Sequence, residues 1–222
     1  MIVVFRNFRR NKMINLSALS VRHFLPDVPV HCFTLYKENM TEYKDQPKLL
    51  PFITEHIHKT KYISNNPVQD HKDPTKTSGF ANLDNGKYFA EGYNLIQDNF
   101  KNLDDKVLIL AEDHFFTTGV TLKELVDNEW HIAFAPGYNN KQNANGSILG
   151  INPNKVKHLF PINEKLRIPV EQLLTENLVK RIKKVSNVYK IKNRKWVDYC
   201  GDGKYTNSSE EMEEEMKKVG II

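Results

Sequence analysis

Five apolar residues, Val107-Leu-Ile-Leu-Ala111, run without a break and end abruptly in Glu112-Asp113-His114. A strand with one wet face alternates apolar and polar residues. An unbroken apolar run has no wet face and reads as a strand buried on both sides, in the middle of a covered parallel sheet. In open α/β sheets ligands bind outside the carboxyl ends of the strands, so the triplet stands where a hard divalent cation and a phosphate could be held. An acid after a strand also caps the next helix or solvates a turn, and the triplet alone does not decide between these readings.

The rest of the chain alternates strands and helices. Ile2–Phe5 reads as a buried strand, Arg6–Asn11 as a polar loop, and Met13, Leu16, Leu19, His23 and Phe24 as one face of a helix. Val30–Leu35 is a second strand behind Pro29. Phe52–His58 and Tyr62–Ser64 fit strand or turn, and Asn65–Thr77 reads as a loop. Phe89, Tyr93, Ile96 and Phe100 recur at helical spacing and lead into the strand at Val107. A short helix at Thr121–Val126, strands at Trp130–Ala135 and Ser147–Ile151, and a brief helix opened by Pro153 follow.

Val170, Leu173, Leu174, Leu178 and Ile182 mark a helix with Pro169 in its first turn, and Val188–Ile191 is a further strand. Ser208 and Glu211 have capping-box spacing for a last helix whose Met212, Met216 and Val219 would face the body. The expectation is one α/β domain over residues 1–207, Rossmann-like, with a mostly parallel central sheet flanked by helices and a C-terminal amphipathic helix, 208–222, packed on it.

Composition narrows the classes of function. No apolar run approaches 18 residues and no signal-peptide pattern is present, so a soluble, cytoplasmic protein is expected. Cys32 and Cys200 lack metal-ligand spacing and read as reduced structural thiols. Residues 209–222 carry five Glu and two Lys, net −3 against +5 for the whole chain, which leaves +8 on the remainder. Eight Lys or Arg and no acid fall within residues 179–195. That run reads either as a solvated helix face and loop or as a surface for an anion: diphosphate, nucleic-acid phosphate or anionic lipid.

A basic loop after the first strand, a helix beginning near Lys87, a buried strand ending in acids and then a strand, loop and Gly-Ser turn together resemble the nucleotide-sugar glycosyltransferases of the GT-A fold. The resemblance covers roughly residues 1–175 in layout. It implies a nucleoside diphosphate sugar as donor and Mn²⁺ or Mg²⁺ held against the diphosphate by an acidic signature. His114 departs from that signature by standing where a third carboxylate is usual. The resemblance then favours Asp113 as the principal metal ligand, with Glu112 facing the sugar or standing behind the metal's direct ligands, and His114 serving as a ligand or touching the sugar or phosphate; a metal-independent site is the remaining alternative.

The same resemblance places Arg6, Asn7, Arg9 and Arg10 at the base and ribose, and Asn82 and Lys87 at the ribose or diphosphate; beyond its reach, the Gly201–Tyr205 turn reads either as a plain turn or as backbone N–H groups and Lys204 brought close to phosphate. Glu171 matches the catalytic base of inverting members, with Glu164 as the alternative; Glu in a first helical turn is also favoured by the helix dipole alone. The expected acceptor is a glycan or protein, or a hydroxymethylated DNA base, which would give the basic run a use; a Lys- and Asn-rich composition suits a viral source and the host cytoplasm. The competing readings are a non-catalytic nucleic-acid-binding protein gripping phosphates through residues 179–195, and a catalytically silent scaffold.

Overall fold

The computed structural model describes residues 1–7, 11–36, 47–60, 85–136, 144–163, 181, 185–191 and 208–222. The elements in chain order are β1 Ile2–Asn7, α1 Asn11–Phe24, β2 Val30–Tyr36, β3 Ile53–Lys59, α2 Asn85–Phe100, β4 Val107–Ala111 and α3 Val120–Asp127. They continue with β5 Ile132–Pro136, β6 Ala144–Ile151, α4 Pro153–Val156 with a 3-10 turn Lys157–Leu159, β7 Val188–Lys190 and α5 Ser209–Lys218. Among the described residues no helix is long and apolar enough to cross a membrane.

The seven strands form one sheet in the order β3-β2-β1-β4-β6-β5-β7. β1, β2, β3 and β4 run parallel, β6 is antiparallel to both β4 and β5, and β7 is parallel to β5. The chain leaves β1 through α1 to β2 on one side and returns through α2 to β4 on the other. The carboxyl ends of β1 and β4 therefore flank the point where the winding reverses, which is where an open α/β sheet leaves a crevice.

Two cores account for the unbroken apolar pattern of β4. Leu108 and Leu110 join Val3, Phe5, Ile14, Ala18, Val21, Leu122 and Trp130 on the face covered by α1 and α3. Val107 and Ile109 join Val4, Phe33, Tyr93, Ile96 and Leu159 on the face covered by α2 and α4. Each residue of β4 from Val107 to Leu110 is buried whichever way it points, so alternation would have put a polar group in one core. Gly150 of β6 lies across from Trp130, and a Cβ there would sit 2.7 Å from the indole Cη2. Trp130 satisfies its own polar atom by donating Nε1–H to the Leu125 carbonyl at 2.9 Å.

Several local expectations change. β1 continues through Arg6 and Asn7, because both keep register with β2 (Arg6 with Phe33, Asn7 with Thr34) instead of turning into a loop. Residues 53–59 settle as strand, paired along their whole length with β2. The buried residues of α1 are Asn11, Met13, Ile14, Leu16, Ser17, Ala18, Ser20 and Val21, and His23 is exposed. The helix thus turns two serines inward, which the apolar spacing did not indicate.

α5 lies on α1. Ser208 accepts the Glu211 N–H at 3.3 Å as its N-cap, and Met212 and Met216 are fully buried against Met13, Leu16 and Phe115. Val219 is 44% exposed, contrary to the spacing argument, because the helix ends at Lys218 and Gly220 turns the chain at φ 73°. Ile221 packs on this cluster instead. Lys12 of α1 reaches Glu210 at 2.9 Å and holds its carboxyl down at about 2, an exposed pair that orients the helix more than it stabilises it.

Candidate active site

Arg6 is buried at the carboxyl end of β1, 3% exposed, with Phe33 of β2 and Ala111 of β4 as its register partners. Its side chain falls on the α2 face, where the guanidinium carbon lies 4.5 Å from the Phe89 ring centroid and 4.8 Å from that of Tyr93. Phe89 and Tyr93 are one helical turn apart, so α2 presents two ring faces to one cation. The polar loop expected from Arg6 onward does not begin there: Arg6 stays in β1, its backbone held by strand register and its guanidinium flanked by the two aromatic rings. The i, i+4 spacing of Phe89 and Tyr93 marked a helix but did not indicate that their rings would face Arg6.

Beyond Ala111 the chain turns, with the His114 N–H donating to the Ala111 carbonyl at 3.2 Å. The inward serines of α1 hold this turn at both ends. Ser17 Oγ donates to the Glu112 carbonyl at 2.9 Å, while Ser20 Oγ accepts the Phe116 N–H at 3.1 Å and donates to the Ser17 carbonyl at 2.7 Å. Both hydroxyls are fully buried, so each satisfies backbone groups that water does not reach. α5 closes over them, with Met212 Sδ 3.8 Å from Ser17 Oγ. Ser17→Ala removes the donor from a buried carbonyl and should cost about 1–3 kcal/mol of stability, read by urea unfolding; no measurable change would show that the hydroxyl is not needed.

Within the turn, Glu112 is 7% exposed and Asp113 is half-buried. The His114 ring is enclosed, 5% exposed, and meets Phe116 edge-on at 5.0 Å between centroids. Burial pushes its pKa down from 6.5 to about 3, so the imidazole is neutral at physiological pH. Another buried carboxylate, Glu91 of α2, accepts the Thr60 hydroxyl at 2.5 Å just past the end of β3. Nothing in the spacing singled it out.

Among the described residues no three His, Cys, Asp or Glu side chains come together as a cation cage. The donor chemistry of the turn nonetheless fits a hard cation, since Mg²⁺-type sites use one or two carboxylates and complete their shell with substrate phosphates and water. Asn7 ends β1 and Lys87 lies in the first turn of α2, with their side chains outside the described part. Arg9, Arg10, Asn82, Glu164, Glu171, Lys204 and Cys200 lie outside the described residues, as do most of residues 179–195. Of that run, Arg181 donates Nη1–H to the Leu159 carbonyl at 3.5 Å and Lys190 ends β7. Cys32 is a buried free thiol.

No protein-family model matches the chain, and no curated protein matches it. Solved structures do. The galactosyltransferase LgtC, in complex with donor and acceptor sugar analogs, superposes with a TM-score of 0.53 at 12% identity, over 99% of this chain and 95% of that one. The glycosyltransferase GlyE of Streptococcus pneumoniae TIGR4 aligns at TM-score 0.46 and 15% identity, over 86% of this chain and 46% of that one. An active-site mutant of LgtC aligns at 0.44 and 14%, over 98% and 96%. The likeness to LgtC is one of fold: the chain has a GT-A-like, Rossmann-type glycosyltransferase fold spanning nearly its whole length.

Proposed function

We propose that the chain is a glycosyltransferase that moves a sugar from a nucleoside diphosphate sugar to a hydroxyl acceptor, with a divalent cation assisting. The observation that carries this reading is the junction of β1 and β4, where buried Arg6 and the Glu112-Asp113 turn flank the crevice of the sheet's reversal point. A fixed cation and two carboxylates at that place suit a ligand that is an anion and brings a metal with it. The fold shared with LgtC along both chains supports the same reading.

In this reading Arg6, Asn7, Arg9, Asn82 and Lys87 hold the nucleotide, and Lys204 approaches the phosphates. Glu112 faces the sugar. Asp113 is the principal ligand for Mn²⁺ or Mg²⁺, and His114 keeps the turn rigid from behind or adds its neutral imidazole. When bound, such a cation stabilises the negative charge that grows on the departing diphosphate. The bond from the anomeric carbon to the phosphate oxygen breaks, and a bond to the acceptor oxygen forms. In an inverting reaction the acceptor's proton passes to Glu171, with Glu164 as the alternative base. The acceptor we assign is a glycan or protein hydroxyl, with a hydroxymethylated DNA base as the variant that would use the positive run.

Glu171→Gln tests the base directly. It should lower kcat by about 10²- to 10⁴-fold and leave donor affinity unchanged, measured by product release under saturating donor. Unchanged turnover would remove Glu171 from the mechanism and point to Glu164 or to a retaining reaction.

A further inference from the structure

The chain that leaves the acidic turn is held by two adjacent rings placed in different cores. Phe116 sits in the sheet core on the α1 and α3 side, whereas Phe115 sits in a separate cluster with Met13 and Leu16 of α1 and Met212 and Met216 of α5. Both rings and both α5 methionines are fully buried. Among the described residues α5 gives its buried side chains to this cluster and to neither of the two sheet cores. A helix that merely covered the sheet would pack on the sheet. This one packs on α1 and on the residue two places beyond Asp113.

We propose that α5 is a positioning element for the acidic turn, with Met212 and Met216 setting where Glu112 and Asp113 stand. The use of that turn for a cation rests on the function proposed above; its dependence on α5 does not. Ser17 has one hydroxyl proton and two acceptors in reach, the Glu112 carbonyl at 2.9 Å and Met212 Sδ at 3.8 Å. The carbonyl is the nearer and the stronger acceptor, so the proton goes to the turn and the thioether serves as a dry cover. Without that cover water reaches both the hydroxyl and the carbonyl, and each gains another partner. The same cluster backs Phe115. Loss of α5 packing therefore loosens the chain on both sides of Asp113.

The hold on α5 is small: two methionines, Ile221 beyond the helix end and the exposed pair of Lys12 with Glu210. Few buried apolar contacts place an element at the low end of local stability. Coupling between two sites is reciprocal, so a ligand that orders the turn also orders α5.

Amide hydrogen exchange of the metal-free full chain, read residue by residue by NMR, tests the positioning. Met212→Ala should speed exchange of the His114 and Phe116 N–H groups at least about tenfold relative to those of β1, whereas Ile96→Val, a loss in the core on the other sheet face, should leave that ratio as in the parent. Met212→Leu keeps the volume and the apolar cover and should exchange as the parent does. Met216→Ala should act in the same direction through Phe115, and decides the matter if Met212→Ala does not fold. Mn²⁺ alone, followed by electron paramagnetic resonance, should bind Met212→Ala at least about tenfold more weakly than the parent, and in the parent should slow exchange across α5. Turn amides that exchange in step with β1, as in a merely global loss of stability, would overturn the proposal. An unchanged Mn²⁺ affinity in a variant whose turn is loosened would do the same. A parent that takes up no Mn²⁺ would remove the cation from the proposed function, and the exchange ratio would then decide the role of α5 by itself.

Discussion

Under the proposed function, Asp113→Ala is expected to abolish detectable sugar transfer, and calorimetric titration should read a loss of metal-dependent donor affinity of at least about a hundredfold, the scale of losing a group that stabilises a developing charge. Asp113 is half-buried in a turn held from α1 by Ser17 and Ser20, with Glu112 and His114 beside it enclosed. Ser17 and Ser20 hold the backbone of the turn independently of this side chain, so the thermal midpoint should move little. Equal binding of Mn²⁺ and a nucleoside diphosphate by variant and parent would contradict the assignment. Loss of binding together with unfolding would show instead that the carboxylate is structural.

Stability is expected to fall as the pH drops below 6.5, with His114 contributing. The unfolded chain takes up a proton on this imidazole near 6.5, whereas burial keeps the folded one neutral down to about 3. The unfolded state thus binds more protons throughout that window. Stability is full above pH 6.5 and falls as the pH drops through it, by up to about 1.4 kcal/mol per pH unit for this one group. His31 and His56 add in the same direction, the first lowered by burial and by His56, the second by burial and by His58. Urea unfolding of His114→Gln in metal-free buffer between pH 6.5 and 4.5 should show a slope shallower by close to one proton. An unchanged slope would mean that the folded ring takes up its proton as readily as the unfolded one.

The sequence exposed most of the frame because hydrophobic period is a direct consequence of burial. β4 was legible from five apolar residues in a row, α2 from its aromatic spacing, and the start of α5 from Ser208 and Glu211, each a local signal of a local cause. What was hidden depends on distant residues. Arg6 is buried because Phe89 and Tyr93, more than eighty positions on, supply rings for it. Ser17 and Ser20 turn inward because residues 112–116 need partners for their backbone groups. Ambiguity over residues 52–58 came from charged and imidazole side chains on the strand that is last in the sheet among the described residues, most of them exposed or half-buried, so that no apolar alternation marks it. Of the site, the acidic turn and the place of Arg6 were visible in the strand ends; the aromatic seat and the serine supports were not.

The most direct test is titration of the parent protein with a panel of nucleoside diphosphate sugars, with and without Mn²⁺, followed by detection of released nucleoside diphosphate. One donor should bind in a metal-dependent way, raise the thermal midpoint, and be turned over when a hydroxyl acceptor is supplied; at 100 times its dissociation constant it should add about 2.7 kcal/mol of stability. Absence of binding by every donor, with duplex DNA binding instead and weakening steeply as salt rises, would contradict the glycosyltransferase reading.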